Sequence, residues 1–302
     1  MIQIQPLSRC TWEESLALWN EAFSGYFVDV SMTMEAFVRK WSRESLSPDH
    51  SLVAVAEGKL VGLVCSGIRT VNGKKMAWNG GTAVVPAWRG KGVGRKLMEE
   101  TLALYEREGV ELATLEAIAA NQAAIRLYER LGYRIVDRLS YYQSTEPLRM
   151  IEAEPSMHRI ERIVPGQIAT LPFYSAEVPW QGQWFCLRDG EAWVLADGRG
   201  GVLGYALGRR EFDERGRLCK TVLYQVETAP GLINEQACFL SLLEAAWGPA
   251  TDMCERIVAN WPSAKHMGAE IFNRLGMKTT IEQVWMMNEL GAKKRSVSGG
   301  NF

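Results

Sequence analysis

Hydrophobic and polar positions follow two different periods along the first half of the chain. After Thr11, apolar residues recur every three or four positions, and Glu14 completes a capping box with Thr11, so a helix begins there. Asn72-Gly73 lies between two apolar runs and predicts a hairpin. The pattern predicts strand, helix, helix, three strands, helix, strand, helix and strand. The predicted strands lie at residues 2–9, 51–56, 60–71, 75–85, 112–118 and 134–143. The predicted helices begin at residue 11 and span residues 33–43, 92–107 and 121–131.

The second half repeats this order with weaker signals. The best local match pairs Tyr128–Tyr133 with Phe272–Met277, at an offset of 144 residues, which indicates an internal duplication. Further strands are predicted at 158–164, 192–195, 201–209, 218–227 and 256–260, and further helices at 235–247 and 264–275. We therefore expect a first domain at 1–145, a linker at 146–156, a second domain at 157–290 and a polar, disordered tail at 291–302.

A glycine-rich segment, Arg89–Met98, lies between a predicted strand and a predicted helix. Glycines at alternate positions allow successive main-chain N–H groups to turn toward one point, and the helix start adds its positive dipole end. Such a concavity suits a diphosphate. No Ser or Thr follows at P-loop spacing, and some eighty residues with their own elements precede the loop, unlike a dinucleotide fold. The residues that surround the concavity are Arg89, Gly90, Lys91, Gly92, Val93, Gly94, Arg95 and Lys96.

The pattern Arg89-x-x-Gly92-x-Gly94 resembles the pyrophosphate loop of the GNAT N-acetyltransferases. The resemblance extends upstream to Val84-Val85 and downstream to Asn121, Ala124 and Tyr128. It implies an α+β fold in which a mixed β-sheet is flanked by helices, here present twice, with the second copy degenerate. It also implies acetyl-CoA as co-substrate, bound by the loop, by Val84 and Val85, and by Asn121, Ala124 and Tyr128. The Val85 N–H is then expected to polarise the thioester carbonyl.

The same resemblance suggests two catalytic side chains. Many family members carry a glutamate on the strand before the loop, but Lys74–Trp88 contains no carboxylate. Glu116 on the next strand is the alternative general base, and Tyr128 is the candidate acid for the leaving thiolate, an arrangement similar to that of the ribosomal-protein alanine acetyltransferases in this family. The alternatives are that Glu116 faces solvent or pairs with Arg126, and that Tyr128 only packs against the cofactor.

The acceptor is expected to bind between the first two helices and the last hairpin. Tyr26, Phe27 and Asp29 lie in the first region and Tyr141 in the second, so the pocket is aromatic with a single carboxylate. This composition favours a primary amine of a small molecule or amino acid with an apolar part, and it leaves a protein N-terminus open.

Composition removes several other classes of function. The net charge of −1 favours neither nucleic acid nor a membrane, and no apolar run has the length of a membrane span. Six scattered cysteines and three isolated histidines predict reduced thiols and no metal site. With no secretory signal at the N-terminus, we expect a cytoplasmic protein, and a homodimer is compatible with these features.

The second half acts as an internal control for the first. Where the loop is expected, it carries Thr228–Ile233, with Pro230 and without basic residues. At the 144-residue offset, Asn260, Lys265 and Phe272 replace Glu116, Asn121 and Tyr128. We therefore expect the chemistry in the first half. The alternative function is a non-catalytic acyl-CoA-binding sensor or scaffold, and transfer to oxygen or of a longer acyl chain also stays open.

Overall fold

The computed structural model describes residues 1–149 and 158–290 and divides the chain into two units. Unit 1 comprises Met1–Val136 and the C-terminal segment from Val284, and unit 2 comprises Asp137–Gln283. The helices are α1 Trp12–Ala22, α2 Met34–Arg43, α3 Val93–Arg107, α4 Gln122–Arg130, α5 Glu235–Trp247 and α6 His266–Arg274. The strands are β1 Gln3–Pro6, β2 Ser47–Ala56, β3 Lys59–Val71, β4 Lys74–Val84, β5 Leu112–Ile118, β6 Arg134–Ser144, β7 Arg159–Ile163, β8 Glu191–Ala196, β9 Val202–Phe212, β10 Leu218–Thr228, β11 Glu255–Pro262 and β12 Lys278–Glu289.

Unit 1 is a mixed sheet with helices on both faces. Its strand order is β1-β2-β3-β4-β5-β12. Each of the first four strands pairs antiparallel with its neighbour, and β4 pairs parallel with β5. One face packs against α3 and α4 around Leu97 and Leu115, and the other packs against α1 and α2 around Trp19 and Phe37. The strands are apolar on both faces because both are covered. The predicted α+β fold class is confirmed.

Local signals explain how unit 1 begins its elements. The Thr11 hydroxyl accepts from the Glu14 N–H, and the Glu14 carboxylate accepts from the Thr11 N–H, so the predicted capping box starts α1. Asn72 and Gly73 both have positive φ, at 47° and 77°, which is the backbone that a tight two-residue hairpin between β3 and β4 requires.

Unit 2 has the same plan with different coverage. Its strand order is β6-β11-β10-β9-β8-β7, and β10 pairs parallel with β11 while the other pairs are antiparallel. β10 and α6 begin 144 residues after β4 and α4 (Lys74 to Leu218, Gln122 to His266) and have the same lengths. In chain order, three short 3-10 turns take the place that α1 and α2 have in unit 1. They lie at Pro165–Thr170, Trp180–Gly182 and Trp184–Cys186.

The last strand was not expected from the sequence. Residues of β12 from Val284 belong to unit 1, where β12 is the neighbour of β5 and Asn288 Nδ2 donates to the carbonyl of Leu131. In turn β6, from Asp137, belongs to unit 2 and pairs with β11. The predicted linker is described only at 146–149, where the Leu148 N–H donates to Ala250 O; its remainder and the predicted tail lie outside the described residues.

Candidate functional site

The site in unit 1 is created where two parallel strands part. β4 and β5 pair only from Met76↔Leu112 to Asn79↔Leu115, although both strands continue. A bulge at Gly80 follows this last pair, because Asn79 opposes Ser66 while Gly81 opposes Cys65 on β3. β4 then runs on to Val84 without β5 beside it, so the main-chain N–H groups on that edge have no strand partner and can pair with a ligand.

The glycine loop lies directly after the open end of β4. Gly90 and Gly92 have φ of 75° and 79°, and Gly92 is the N-cap residue of α3. The first helical bond is Lys96 N–H to Gly92 O, so the amides of Val93, Gly94 and Arg95 have no partner within the helix. Nor does α3 carry an acidic residue in its first turn. These amides and the helix start suit an anion, and binding of a diphosphate by the loop stays a prediction.

Gly94 sits where the loop meets the open strand. A Cβ at this position would lie 3.6 Å from Val84 Cγ2 and 3.8 Å from Leu127 Cδ2, which is ordinary contact. The fold itself therefore tolerates a small side chain at Gly94. A side chain at Gly94 would instead reduce the space between β4 and α4 that is available to a ligand.

The basic side chains near the loop are not all directed at the concavity. The Arg89 guanidinium donates to three carbonyl oxygens, of Val84 (3.0 Å), Ala22 (3.1 Å) and Ser24 (2.9 Å), so it ties the loop to the end of α1. Lys91 Nζ lies over the Trp88 ring, 4.9 Å from its centroid. Arg95 pairs with Glu99, and Lys96 donates to Ile2 O. The main-chain amides, more than the side chains, present positive charge inward.

The expectation that the Val85 N–H polarises the thioester is wrong. That N–H donates to Val61 O on β3 at 3.0 Å. Successive residues of an antiparallel strand direct their main-chain groups to opposite edges. Because Val85 bonds to β3, Thr82 and Val84 direct their N–H groups toward the edge that β5 has left. The N–H groups available to a thioester carbonyl are therefore those of Val84 and Thr82, one and three residues before Val85.

Tyr128 lies on α4, which covers this opening. Its side chain is buried, with the hydroxyl beside Thr82 and Asn79 of β4, and burial raises the pKa of Tyr128 to about 12. Its ring packs edge-on against Tyr133, with centroids 6.0 Å apart. Asn121, the N-cap of α4, accepts from the Ala124 N–H. The predicted contacts of Asn121, Ala124 and Tyr128 with a cofactor stay predictions.

Glu116 is the first residue of β5 beyond the last pair with β4. Its Oε2 accepts from the Trp78 indole Nε1–H at 2.7 Å, whereas Oε1 is shielded from solvent and accepts no hydrogen bond from the described residues. Burial raises the pKa of Glu116 to about 7, against a lowering contribution from the Trp78 hydrogen bond. The alternative of a solvent-facing carboxylate is therefore wrong, since Glu116 points to the side of β5 that α2 covers.

Part of the predicted acceptor region converges on the same opening. Burial raises the pKa of the Tyr26 hydroxyl, which hydrogen-bonds to Asn121. Phe27 is exposed, and Asp29 accepts from the Ser31 N–H and hydroxyl, so its carboxylate holds the loop. Tyr141 lies on β6 in unit 2. The acceptor roles of all four residues stay predictions.

Four residues of this site were not predicted from the sequence. Trp78, Asn79 and Thr82 line β4 beside Glu116 and Tyr128, and Lys40 of α2 lies 5.6 Å from the Trp78 ring centroid. The available signal was the polar pair Asn79 and Thr82 in a strand that has no other polar side chain after Lys75.

The corresponding region of unit 2 is filled. Trp261, the counterpart of Ala117 at the 144-residue offset, is buried and donates from Nε1 to Lys265 O. Its ring leaves no room at Gly268, where a Cβ would lie 2.2 Å from Trp261 Cζ2. Lys265 pairs with Glu227, and Phe272 is packed among aromatic rings. An indole therefore occupies the space that a methyl group leaves open in unit 1.

Comparison with known proteins is consistent with this geometry. A family profile described as Acetyltransferase (GNAT) family matches residues 12–133, all within unit 1. N-alpha-acetyltransferase 30 of Schizosaccharomyces pombe is 30% identical over 118 residues, which cover 38% of this chain and 75% of the yeast protein. The chain belongs to the GNAT family of acetyltransferases.

Two further GNAT relatives define how far the likeness extends. The mycothiol acetyltransferase of Propionibacterium freudenreichii is 28% identical over 138 residues, which cover 45% of this chain and 44% of that protein. The match thus spans less than half of that relative. A tandem GNAT protein from the clavulanic acid biosynthesis pathway has a TM-score of 0.66 at 16% identity and covers 96% of this chain, with 99% of its own length aligned. That likeness shows the tandem fold alone.

GNAT membership implies acetyl-CoA as the acetyl donor. The loop fits this group, because it offers amides that have no partner within the helix, at a helix start beside an open strand edge. Within residues 1–149 and 158–290, no cluster of three His, Cys, Asp or Glu side chains is placed to hold a metal ion. No helix in those ranges has the length and apolar character needed to cross a membrane.

Proposed function

We propose that unit 1 transfers an acetyl group from acetyl-CoA to a primary amine, with Glu116 as base and Tyr128 as acid. One observation carries the proposal. The loop suited to an anion follows the end of β4. Where β4 and β5 begin to part lies Glu116, a carboxylate whose pKa is raised to about 7. A general base works best when its pKa lies near the working pH.

The donor is held by main-chain groups. The amides of Val93, Gly94 and Arg95 receive the pyrophosphate at the start of α3. The free edge of β4 pairs with the pantetheine amides, and the N–H groups of Thr82 and Val84 are the donors available to the thioester carbonyl as its oxygen gains charge. The Val84 carbonyl is already occupied by Arg89, so only its N–H serves the ligand.

Proton transfers take place on the two faces of the opening. Glu116 lies on the face covered by α2 and removes a proton from the acceptor ammonium or from the attacking amine. Tyr128 lies on the face covered by α4 and returns a proton to the departing thiolate. Its raised pKa keeps the hydroxyl protonated at neutral pH, which is the state that an acid needs.

Replacing Tyr128 by Phe is expected to lower kcat about tenfold and to leave the KM for acetyl-CoA within a factor of two, because the ring stays and only the proton is lost. Steady-state release of free thiol measures both constants. Tyr133→Phe is the matched control: it removes a buried hydroxyl from the adjacent ring, and that hydroxyl has no partner among the described residues. Equal kcat values in the two variants would contradict an acid role for Tyr128.

The acceptor is an amine with an apolar part, because aromatic residues dominate the α1–α2 loop. Tyr26 packs between Phe23 and Phe27, with ring centroids about 5 Å from each. The relatives named above are a mycothiol acetyltransferase and an N-alpha-acetyltransferase. A panel of hydrophobic amino acids and amines, short peptides with free N-termini, spermidine and lysine-rich peptides separates these classes. Preference for spermidine or lysine-rich peptides would contradict the assignment.

A non-catalytic acyl-CoA-binding module is the second candidate. The observation that favours it is the absence of any carboxylate in Lys74–Trp88. This candidate predicts that acetyl-CoA binds and that no amine in the panel is acetylated, whereas the enzymatic proposal predicts turnover that Glu116→Gln removes.

A further inference from the structure

Trp78 is a buried tryptophan whose indole N–H bonds to the candidate base. We propose that Trp78 is a positioning residue: it holds one oxygen of Glu116 so that the other, Oε1, faces the amine to be acetylated. This inference rests on the proposed function of unit 1. It concerns residues outside the motifs by which the chain resembles its family.

The hydrogen bond fixes the carboxylate. Trp78 Nε1 and Glu116 Oε2 are 2.7 Å apart, and Trp78 is 2% exposed. A carboxylate on a flexible side chain rotates unless one oxygen is held. Here only Oε2 is held, while the shielded Oε1 has no partner among the described residues. A buried acceptor of this kind is costly unless a ligand supplies the missing donor, and an amine N–H is such a donor.

The backbone is shaped to hold the indole in this position. A Cβ at Gly80 would lie 2.4 Å from Trp78 Cζ3, which is closer than atoms can approach. Gly80 is also the bulged residue of β4, directly after the last pair with β5. The missing side chain therefore lets the ring lie along its own strand, where its N–H edge meets Glu116.

Charged groups near the C-terminal end of α2 lie close to the indole. Lys40 Nζ lies 5.6 Å from the ring centroids of both Trp78 and Trp19, and its ammonium pairs with Glu44. These two charges are the ones that act on Glu116: Glu44 raises its pKa and Lys40 lowers it. Because their signs oppose, the hydrogen bond from Trp78 is the main contact that favours the ionised carboxylate.

Loss of this hydrogen bond has a defined kinetic signature. In Trp78→Phe the ionised carboxylate loses its donor, so its pKa rises and the acid limb of the rate profile moves to higher pH. We expect kcat/KM for the amine to fall about tenfold at pH 7, with partial recovery at pH 9, and the KM for acetyl-CoA to stay unchanged. Gly80→Ala, which displaces the indole without removing it, is expected to move the acid limb in the same direction.

Trp41→Phe is the matched control for these variants. Trp41 is a buried indole on α2, packed in a core cluster with Trp19 and Phe37, and its Nε1 has no partner among the described residues. The same change of ring there is expected to leave the pH profile at its wild-type position. A pure packing effect would instead move both Trp variants alike, and that result would overturn the proposal.

The contact is tested without any substrate by nuclear magnetic resonance of the indole N–H groups, with Trp78 assigned by its loss in Trp78→Phe. Its resonance is expected to titrate with a midpoint of about 7 and to stop titrating in Glu116→Gln. Absence of that titration in the wild type would overturn the proposal. So would wild-type turnover that Glu116→Gln removes and Trp78→Phe leaves intact. If the wild type acetylates no amine, the proposed function itself fails.

Discussion

Replacing Glu116 by Gln is expected to lower turnover about a hundredfold or more and, above pH 7, to stabilise the folded protein. The amide keeps an oxygen that accepts the Trp78 N–H, so the geometry survives while the base is lost. The rate loss is measured by thiol release at saturating acetyl-CoA. Undiminished turnover would contradict the assignment of Glu116 as base.

The gain in stability follows from the sign of the pKa shift. Folding raises the pKa of Glu116 from its ordinary value of 4.5 to about 7, so the folded state binds this proton more tightly than the unfolded state. The cost of ionising Glu116 in the fold is absent below pH 4.5 and fully present above pH 7. Removing the charge therefore stabilises by up to about 3 kcal/mol at pH 8 and by almost nothing at pH 4.

Denaturant unfolding of wild type and variant at both pH values measures this difference. Glu129→Gln, an exposed carboxylate on α4, is the control and is expected to change stability little at either pH. A gain for Glu116→Gln that is equal at pH 4 and pH 8 would contradict a buried carboxylate with a raised pKa.

Replacing Gly92 by Val is expected to weaken CoA binding about a hundredfold. At a φ of 79° a β-branched residue is strained, so we expect the loop to rearrange. The main-chain amides at the start of α3 would then no longer point to one anion. Gly73→Val is the matched control, because Gly73 has a φ of 77° and equally open surroundings but lies in the β3–β4 hairpin.

Titration calorimetry with CoA measures the affinity of each Gly variant, and thermal unfolding measures the cost in stability. Both variants are expected to lose similar stability, of about 1–2 kcal/mol, and only Gly92→Val is expected to lose affinity. Wild-type affinity in Gly92→Val would contradict the role of the loop.

Local signals in the sequence predict the elements of unit 1 well. The capping box at Thr11 and the Asn72-Gly73 turn act over a few residues and appear in the structure where they were expected. The strand at Leu112–Ile118 has its predicted bounds, and α3 begins one residue after the predicted start. The duplication is visible because the 144-residue offset is kept by β10 and α6.

Features that depend on distant pairing were not predictable in this way. The membership of β12 in unit 1 depends on its place beside β5, some 170 residues earlier in the chain, and its own pattern does not specify a neighbour. The free edge of β4 depends on a bulge at Gly80, which decides that the N–H groups of Thr82 and Val84, and not that of Val85, face the opening. A shift of one residue in the register between β3 and β4 would exchange the N–H groups that face β3 with those that face the opening.

The same limit applies to side chains of the site. The sequence places Glu116 on a strand, but its raised pKa requires burial against Trp78 and α2, which only the packed structure shows. Arg89 has the position of a phosphate-binding cation in the motif, yet its guanidinium is occupied by three carbonyl groups. In unit 2, Trp261 fills the space that the duplicated fold would otherwise leave open.

The binding of CoA by unit 1 is best tested by a crystal structure of the chain with CoA. We expect one CoA per chain, with its pyrophosphate against the amides of Val93, Gly94 and Arg95 and its pantetheine along the edge of β4 between Gly80 and Val84. CoA bound in unit 2, or in unit 1 away from the α3 start, would contradict it.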